Sequence, residues 1–500
     1  MELSARTLLE LPGVRRQVDR ITADLAAGLH CLWLLPDDLV DGGYAEELHR
    51  AALYSSPERL DIPAPSDEET AASSPSLEPG SVPAGRSWDD LPVLADYDDG
   101  FDIGWAPELP RQRTAPQQPT DVPEGPESGL LARLAKELSV TPGEAIDTLT
   151  DPGARWRPVI GVRAWKETAT AGGPAAPERD RGHDVARLIR ALGAAAKQAG
   201  LPPENRPRLL VTARIGDLPS QLPDELERDL ASSAVHWWWD TLDRLDSATV
   251  VAAVGARGTR PGRRHGELLR DRILRAVRDE VISEVCGPDL VLGWRLARRW
   301  DGSQRTLQGS LWACLDVGGA APAVRHQPVH LGVGSGHRPP ARLRPVWARG
   351  LIQSWDGRAR VHPAVWRRDG SAPDQLRVLV SQAQARILLP WIEDTRQRLA
   401  PLALGGVTGP VADLVARYVG RLPAEHRENP EEAFRTIEVG PMLTACRQGH
   451  LNLARAERQL LEQLVLARNV LSHRGVLFDR TLHALCDELA QADHRWSGDE

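Results

Sequence analysis

The chain has 500 residues, which is long enough for two or three domains with buried cores. Its formal net charge of −8 argues against a protein that coats nucleic acid through overall positive charge, although local arginine clusters can still serve an RNA site. The five cysteines are scattered, and no apolar run is long enough for a membrane span or a signal peptide. We therefore expect a cytoplasmic protein with no membrane segment, disulfide framework, metal or cofactor.

The N-terminal region begins with the order of elements that surrounds a phosphate-binding loop. A helical pattern over 14–27 is followed by a buried strand at 29–35, a Gly-containing turn at 36–43 and a helix at 44–53. A working P-loop needs Gly-Lys-Ser/Thr, whereas this turn has no lysine and carries three aspartates that would repel a triphosphate. We favour an ordinary turn between strand and helix, with nucleotide binding at an unconventional site as an open alternative.

A segment rich in Pro, Ser and acidic residues then interrupts the pattern at 62–128. Such a composition predicts a disordered insertion or lid. Within it, residues 88–105 mix acidic and aromatic side chains, and a short hairpin packed on its own domain is favoured over a docking peptide.

From residue 129 onward, helical and strand patterns alternate. Strands are predicted at 157–163, 208–214 and 248–254, and the helices between them lie at 130–138, 142–149, 184–198 and 222–230. This alternation predicts an α/β domain with a mostly parallel sheet. Two further helices, 265–285 and 290–300, resemble a lid, so the order of elements is similar to a degenerate AAA-like or STAND-like nucleotide-hydrolase module.

Two clusters in this region have both a structural and a functional interpretation. The tryptophans at 237–239 could stack on bases, but neighbouring residues of a strand face opposite sides, so packing is the favoured role. His236 and Asp240 have the residue types of a catalytic pair. Because no Gly-x-Ser-x-Gly elbow supplies a nucleophile, we interpret them as structural.

Residues 301–372 are predicted to form an irregular connecting region. Arginine-rich strands are expected around 346–347 and at 361–366. His326, His330 and His337 lie close in sequence, but no Cys or carboxylate follows at a supporting spacing, so a flexible loop is favoured over a metal site.

The C-terminal region, 373–500, shows only helical patterns. Helices are predicted at 376–392, 411–419, 431–436, 451–471 and 480–489, and Pro390 is expected to kink or restart the first of them. These lengths and the short connections predict an antiparallel helical bundle.

The helix at 451–471 carries the residues that point to chemistry. Its apolar face repeats at helical spacing through Leu461, Leu464 and Leu471, which places Arg468 on or beside the buried side. His473 follows at the helix end, where Gly475 is expected to take the left-handed conformation.

Arginine and histidine recur at this spacing four times in the chain, so the spacing alone is weak. The other three pairs are Arg260/His265, Arg325/His330 and Arg421/His426. They lie in Pro- or Gly-containing segments, whereas only Arg468/His473 ends a long apolar helix and carries Asn469 after the arginine.

The sequence Arg468-Asn-Val-Leu-Ser-His473 resembles the Arg-x4-6-His signature of HEPN domains, small helical bundles that commonly dimerise and often act as metal-independent ribonucleases. The similarity covers roughly the last 125 residues, the size of one small domain. Residues 382–393 resemble the long first helix of the family. Glu438-Val-Gly-Pro-Met-Leu443 resembles an intermediate polar position in the subgroup linked to RNA-surveillance endonucleases.

The resemblance implies catalytic roles for Arg468, Asn469 and His473, RNA as substrate, and a homodimer formed through the bundle. It also suggests a toxin, stress-response or phage-defence setting, with protein partners in a defence or signalling complex. The expected organisation is an α/β regulatory domain at 1–300, the connecting region at 301–372 and the HEPN-like bundle at 373–500. The alternative is a catalytically silent scaffold in which Arg468 is a buried ion-pair partner.

Overall fold

A five-stranded sheet, parallel throughout, organises the N-terminal part of the chain. The computed structural model describes residues 4–65, 129–167, 182–255, 265–316, 337–420 and 429–497. The strands are β1 (His30–Leu34), β2 (Arg59–Asp61), β3 (Val159–Arg163), β4 (Arg208–Ala213) and β5 (Ser233–Trp237). Their order across the sheet is β2-β3-β4-β1-β5. The predicted parallel sheet is confirmed.

Helices surround this sheet, so its three central strands are almost entirely buried. The helices are α1 (Ala5–Glu10), α2 (Pro12–Ala26), α3 (Asp37–Asp41), α4 (Tyr44–Tyr54), α5 (Leu130–Leu138), α6 (Ala145–Thr150), α7 (Ala164–Glu167), α8 (His183–Gln198) and α9 (Leu222–Arg228). Every residue of β1 and β3 is buried. Such continuous apolar runs are typical of parallel strands that are covered on both faces.

The strand predicted at 248–254 is wrong, because these residues lie in helix α10 (Arg244–Gly255). An apolar run of this length fits a strand or a buried helix equally well. The helix start is fixed by two aspartates that cap each other: Asp243 accepts from the Asp246 amide at 3.2 Å, and Asp246 accepts from the Asp243 amide at 2.9 Å. The fifth strand is instead the missed segment β5, which ends in the first tryptophan of the 237–239 run.

The remainder of the described chain is almost entirely helical. Its helices are α11 (His265–Cys286), α12 (Leu290–Arg299), α13 (Gln304–Asp316), α14 (Arg344–Ala348), α15 (Pro363–Asp369), α16 (Ala372–Leu404), α17 (Val411–Tyr418), α18 (Pro430–Arg435), α19 (Val439–Arg447), α20 (Arg455–Ser472) and α21 (Asp479–Ser497). Helix α11 packs along α16 and α21 and shares their apolar core. Within the described ranges, no helix combines the length and apolarity that crossing a membrane requires.

The region between the sheet and the last helices differs from the expected arginine-rich strands. Residues 346–347 lie in α14, and 363–366 lie in α15, which begins at Pro363. The strands here form a hairpin, β6 (Ile352–Trp355) and β7 (Arg358–Val361). Its turn is Asp356-Gly357, with φ values of 52° and 68°, the Asp-Gly pair that a tight hairpin turn favours. In α16, Pro390 lies inside one helix, so the predicted restart there does not occur.

An ionic network joins the sheet region to the long helices. Glu284 of α11 is 1% exposed and lies 2.7 Å from Arg244, 2.9 Å from Arg360 and 2.6 Å from Arg386. Glu280, one turn earlier, also pairs with Arg244, at 2.6 Å, and with Arg386. The three arginines come from α10, β7 and α16, so this junction network ties four elements together.

Burial alone would raise the pKa of Glu284, but the charges and hydrogen bonds of the surrounding arginines outweigh it and hold this pKa below its ordinary value. Glu284 is therefore a charged group at neutral pH, neutralised inside the fold.

Candidate functional site

Helix α20 places Arg468 at the margin of its buried face. Leu461, Leu464 and Leu471 are buried as predicted, and Ala467 completes the apolar stripe. The Arg468 side chain is 44% exposed. It therefore lies beside the stripe and keeps access to solvent, unlike the buried ion-pair partner expected for a silent scaffold.

The end of α20 has the hydrogen bonds of a Schellman motif. The Arg474 amide donates to the Leu471 carbonyl at 3.0 Å, and the Gly475 amide donates to the Val470 carbonyl at 2.8 Å. The left-handed residue is Arg474, with φ of 56°, so the prediction that Gly475 takes this conformation is wrong. Glycine is needed at 475 for space, since a Cβ there would lie 2.9 Å from the Val470 carbonyl oxygen.

Arg468 meets a carboxylate from the neighbouring helix. Its guanidinium lies 3.0 Å from Oε2 of Glu438, the residue just before α19. Glu438 is the polar position indicated by the resemblance to HEPN domains, and in the structure it contacts Arg468. Because the two side chains are 44% and 66% exposed, the pair contributes at most about 1 kcal/mol to stability.

The segment that carries Glu438 is held by an arginine that sequence reasoning missed. Arg396 of α16 is buried and donates to the carbonyls of Arg435 and Ile437, at 2.7 and 3.2 Å. It also pairs with Glu393 at 2.7 Å. These bonds satisfy carbonyls at the end of α18 and fix the approach to Glu438. The available signal was an arginine at helical spacing within an apolar face, the same signal that drew attention to Arg468.

Asn469 and His473 lie at the solvent-exposed end of α20. The His473 amide donates to the Asn469 carbonyl at 3.2 Å, which places the two residues one helical turn apart. Neither side chain hydrogen-bonds to another described residue, so both are available to a ligand. A guanidinium, an amide and an imidazole at one helix end can together bind a phosphate and transfer a proton.

The second place to look for a site is the carboxyl edge of the parallel sheet. Open α/β sheets bind ligands where neighbouring strands send their connections to opposite sides. Here that point lies between β1, whose connection leads to β2, and β4, whose connection crosses to β5. The loop at 36–43 and Arg214 meet there.

The chain's own carboxylates occupy this edge. Arg214 lies 3.2 Å from Asp41 and 3.1 Å from Asp217. On β3, Arg163 is held in the same way by Glu46 at 2.9 Å and Asp61 at 2.5 Å. Arg163 at the end of β3 and Arg214 just after β4 are thus already neutralised.

The helix N-termini beside the loop are acidic as well. Asp37 and Asp38 lie in the first turn of α3, and Glu46 and Glu47 lie in the first turn of α4. A helix N-terminus attracts anions, but these carboxylates already supply the negative charge. The favoured simple turn at 36–43 is therefore replaced by the short helix α3, whose acidic first turn does not suit a phosphate.

A cavity of about 70 Å³ lies beneath this loop and reaches the start of α12. It is far below the several hundred Å³ of a usual ligand pocket. Asp38 lines the cavity and is also exposed to solvent, and desolvation together with the charge of Asp289 raises its pKa to about 6. Asp289 lies 3.0 Å from Nε2 of His362, whose Nδ1 accepts from the Ala364 amide. Both ring nitrogens of His362 are thus already engaged.

The tryptophans at 237–239 are core residues, as favoured. All three are at most 4% exposed. The Trp237 ring packs edge-on against Trp347 at 5.3 Å, and the Trp238 ring lies 6.1 Å from Trp33. No base could reach them in this arrangement.

His236 and Asp240 do not form a pair. His236 lies 3.0 Å from Asp24, while Asp240 accepts a hydrogen bond from Ser354 at 2.9 Å. The structural interpretation of both residues is confirmed.

Several sequence predictions fall outside the described residues. They concern most of the insertion at 62–128, including the stretch 88–105, and His326, His330, Arg260, Arg325, Arg421 and His426. In the ranges that the structure does describe, no group of three or more His, Cys, Asp or Glu side chains is placed to hold a metal ion.

No protein-family model, no curated protein and no solved structure matches the chain. The candidate site therefore stands on its own geometry and on the resemblance of its motif.

Proposed function

We propose that the chain is a metal-independent ribonuclease of the HEPN type, with Arg468, Asn469 and His473 as its catalytic residues. The proposal is supported by the position of all three residues in the last turns and the C-terminal cap of α20, by the exposure of Asn469 and His473, and by the partly exposed pair of Arg468 with Glu438. The C-terminal bundle would be the effector domain and the α/β region a regulatory domain. RNA would be the substrate, and no cofactor would be required.

Each residue has a role that its chemistry suits. His473 would take the proton from the RNA 2′-hydroxyl, or give one to the departing 5′-oxygen, and such proton transfer contributes about 10²- to 10⁴-fold to rates. The 2′-oxygen attacks phosphorus, the bond to the 5′-oxygen breaks, and a 2′,3′-cyclic phosphate and a 5′-hydroxyl result. Arg468 would bind the phosphate and stabilise its developing charge, while Asn469 orients the pair.

Glu438 would be exchanged for the phosphate when RNA binds. The pair that it forms with Arg468 is open to solvent, so separating it costs about 1 kcal/mol or less. A phosphate can then occupy the guanidinium face that the carboxylate now covers. A homodimer would bring two such helix ends to one groove.

The α/β domain would act without nucleotide at its β1 turn. Three aspartates lie at this turn, and Arg214 and Arg163 are already neutralised by carboxylates. This domain would therefore restrain or sense through protein contacts, within a cytoplasmic defence, toxin or stress-response system.

The second candidate is a catalytically silent scaffold or regulatory subunit. It is favoured by one observation, the internal ion pair that satisfies Arg468 in the absence of RNA. Because this arginine is half exposed, Arg468→Ala should cost less than about 1 kcal/mol in either case. Loss of stability therefore does not separate the two candidates, and RNA cleavage does.

The test is cleavage of end-labelled RNA by the full chain in EDTA. His473→Ala and Arg468→Ala should both abolish cleavage while keeping the thermal midpoint of wild type. The matched control is His494→Ala, since His494 is also exposed and lies on α21. Cleavage that survives in His473→Ala would reject the assignment, and a wild-type chain that cleaves no RNA would favour the scaffold.

A further inference from the structure

A cleft of about 650 Å³ lies among the long helices, apart from the end of α20. It is bounded by α11, by the turn between α12 and α13, by α16 and by the start of α21. Its volume falls within the range of small-molecule pockets. Much of its wall is apolar, formed by Leu274, Val281, Trp300, Val380 and Leu482 among others.

The walls of this cleft are fixed by hydrogen bonds between elements. The Gln384 side-chain amide donates to the Leu477 carbonyl and accepts from the Leu477 amide, both at 2.8 Å. Asp479 accepts from the Ser303 hydroxyl at 2.7 Å and from the Gln304 amide at 3.0 Å. A pocket that is already in place loses little free energy in ordering when a ligand binds.

Most charged groups of the lining are already engaged. Arg278 donates to the Trp300 carbonyl at 2.8 Å and pairs with Asp279 at 3.0 Å. Asp301 accepts from the Ser303 amide at 3.0 Å and from the Thr306 hydroxyl at 2.7 Å. Arg278 and Asp301 therefore stabilise the cleft itself. Two other side chains of the lining remain available for polar contacts with a ligand.

The remaining polar groups are Arg275 on α11 and His483 on α21, two helices that pack against each other and both line the cleft. Neither makes a hydrogen bond or ion pair with another described residue, and both are exposed. A guanidinium offers five donors in a fork that matches two oxygens of a carboxylate, phosphate or sulfonate, and an imidazole adds a further polar contact. The available hydrogen-bond donors of the cleft therefore suit an anionic group, and the apolar wall beside them suits an apolar body.

We propose that this cleft binds a small organic anion with an apolar body, whose acidic head group is held by Arg275 and His483. The assignment does not depend on the ribonuclease proposal. The cleft is, however, connected to the candidate catalytic end of α20, because Leu477 and Asp479 anchor the chain just beyond His473 to the cleft wall. An occupied cleft would hold this connection more tightly.

The probe is 8-anilinonaphthalene-1-sulfonate, a fluorescent aromatic anion, titrated into the full chain at neutral pH. Saturable binding of one molecule per chain is expected, and Arg275→Gln should weaken it about 10-fold or more, the usual effect of losing a charge-assisted hydrogen bond. Leu274→Trp, which fills the apolar wall, should weaken it comparably. The matched control is Arg272→Gln, an exposed arginine of α11 outside the lining, which should bind as wild type.

The uncharged analogue N-phenyl-1-naphthylamine distinguishes the contribution of the acidic head group to the affinity from that of the apolar body. It should bind less tightly than the sulfonate, and Arg275→Gln should leave its affinity unchanged. The proposal is overturned if the sulfonate shows no saturable binding, or if Arg275→Gln binds it as tightly as wild type. Since Arg275 is exposed, this variant is expected to fold normally.

Discussion

The junction network gives the sharpest stability prediction, through Glu284→Gln. The change removes a carboxylate that is 1% exposed and that three arginines surround within 2.9 Å. Arg244 and Arg386 keep Glu280 as a partner, whereas Arg360 loses its carboxylate and keeps the Glu284 carbonyl and the Trp355 ring, whose centroid is 4.9 Å away. Removing one partner of a buried ion pair costs about 3–5 kcal/mol of the free energy of unfolding. Because the arginines keep other partners, we expect Glu284→Gln to cost about 3 kcal/mol.

The loss is measured by thermal and urea denaturation at pH 7. A cost of about 3 kcal/mol corresponds to a fall of roughly 4 °C in Tm for cooperative unfolding of several hundred residues, because the unfolding entropy is about 2.1 cal/mol/K per residue. The control is Glu462→Gln, because Glu462 is 46% exposed and lies 3.5 Å from Arg458 on the same helix face. This control should cost less than about 0.5 kcal/mol. A loss below about 1 kcal/mol in Glu284→Gln would refute the reasoning.

The same network predicts a pH dependence. The pKa of Glu284 in the folded chain lies below its ordinary value of 4.5 because the arginines outweigh the desolvation that burial causes. The stability that this group contributes is therefore present above pH 4.5 and is lost as pH falls through the folded-state pKa. The difference between wild type and Glu284→Gln should be constant from pH 8 to about 5 and shrink at lower pH.

Three further predictions concern single sites. Asp38→Asn should stabilise the chain at pH 8 by about 1 kcal/mol or less, because desolvation and the charge of Asp289 raise the pKa of this carboxyl to about 6 while its exposure to solvent limits the effect. The gain should disappear as pH falls below about 6, which urea denaturation at pH 8 and pH 4.5 tests. Gly475→Ala should lower the free energy of unfolding by about 1–3 kcal/mol, because the added Cβ clashes with Val470 at the end of α20. Gly440→Ala, whose added Cβ would meet no atom within 4 Å, should be neutral or stabilising in the same urea denaturation experiment. Glu438→Gln should tighten RNA binding by about 2- to 5-fold at low salt, because the competing carboxylate of Arg468 is removed, and an unchanged Kd in filter binding would contradict that role.

Sequence periodicity predicted most of the elements but could not separate a buried helix from a buried strand. The helix containing Leu464 has a periodic pattern that only a helix satisfies, whereas the apolar runs around Leu32 and Val211 fit a strand or a buried helix. Residues 248–254 fit both, and the deciding contacts are the reciprocal caps of Asp243 and Asp246, which the apolar pattern does not include. The two aspartates at the start of α10 therefore indicate a helix where the apolar pattern alone does not.

The residues of the candidate site were proposed from the sequence, and Glu438 was singled out by the resemblance, but the contact between Glu438 and Arg468 was not predicted. The spacing of Arg468 and His473 placed them at one helix end, yet the carboxylate that meets Arg468 comes from 30 residues earlier in the chain. Long-range pairs of this kind depend on how helices pack, and so do the buried Arg396 and the junction network around Glu284. The cleft could not be predicted from the sequence, because its lining residues come from four separated segments of the chain.

The central claim is that the end of α20 cleaves RNA, and the most direct measurement is the chemical identity of the product ends. Labelled RNA incubated with the full chain in EDTA should yield 2′,3′-cyclic phosphate ends with wild type and with His494→Ala, and none with His473→Ala. Cleavage by His473→Ala at the wild-type rate, or products ending in a 3′-hydroxyl, would contradict the account.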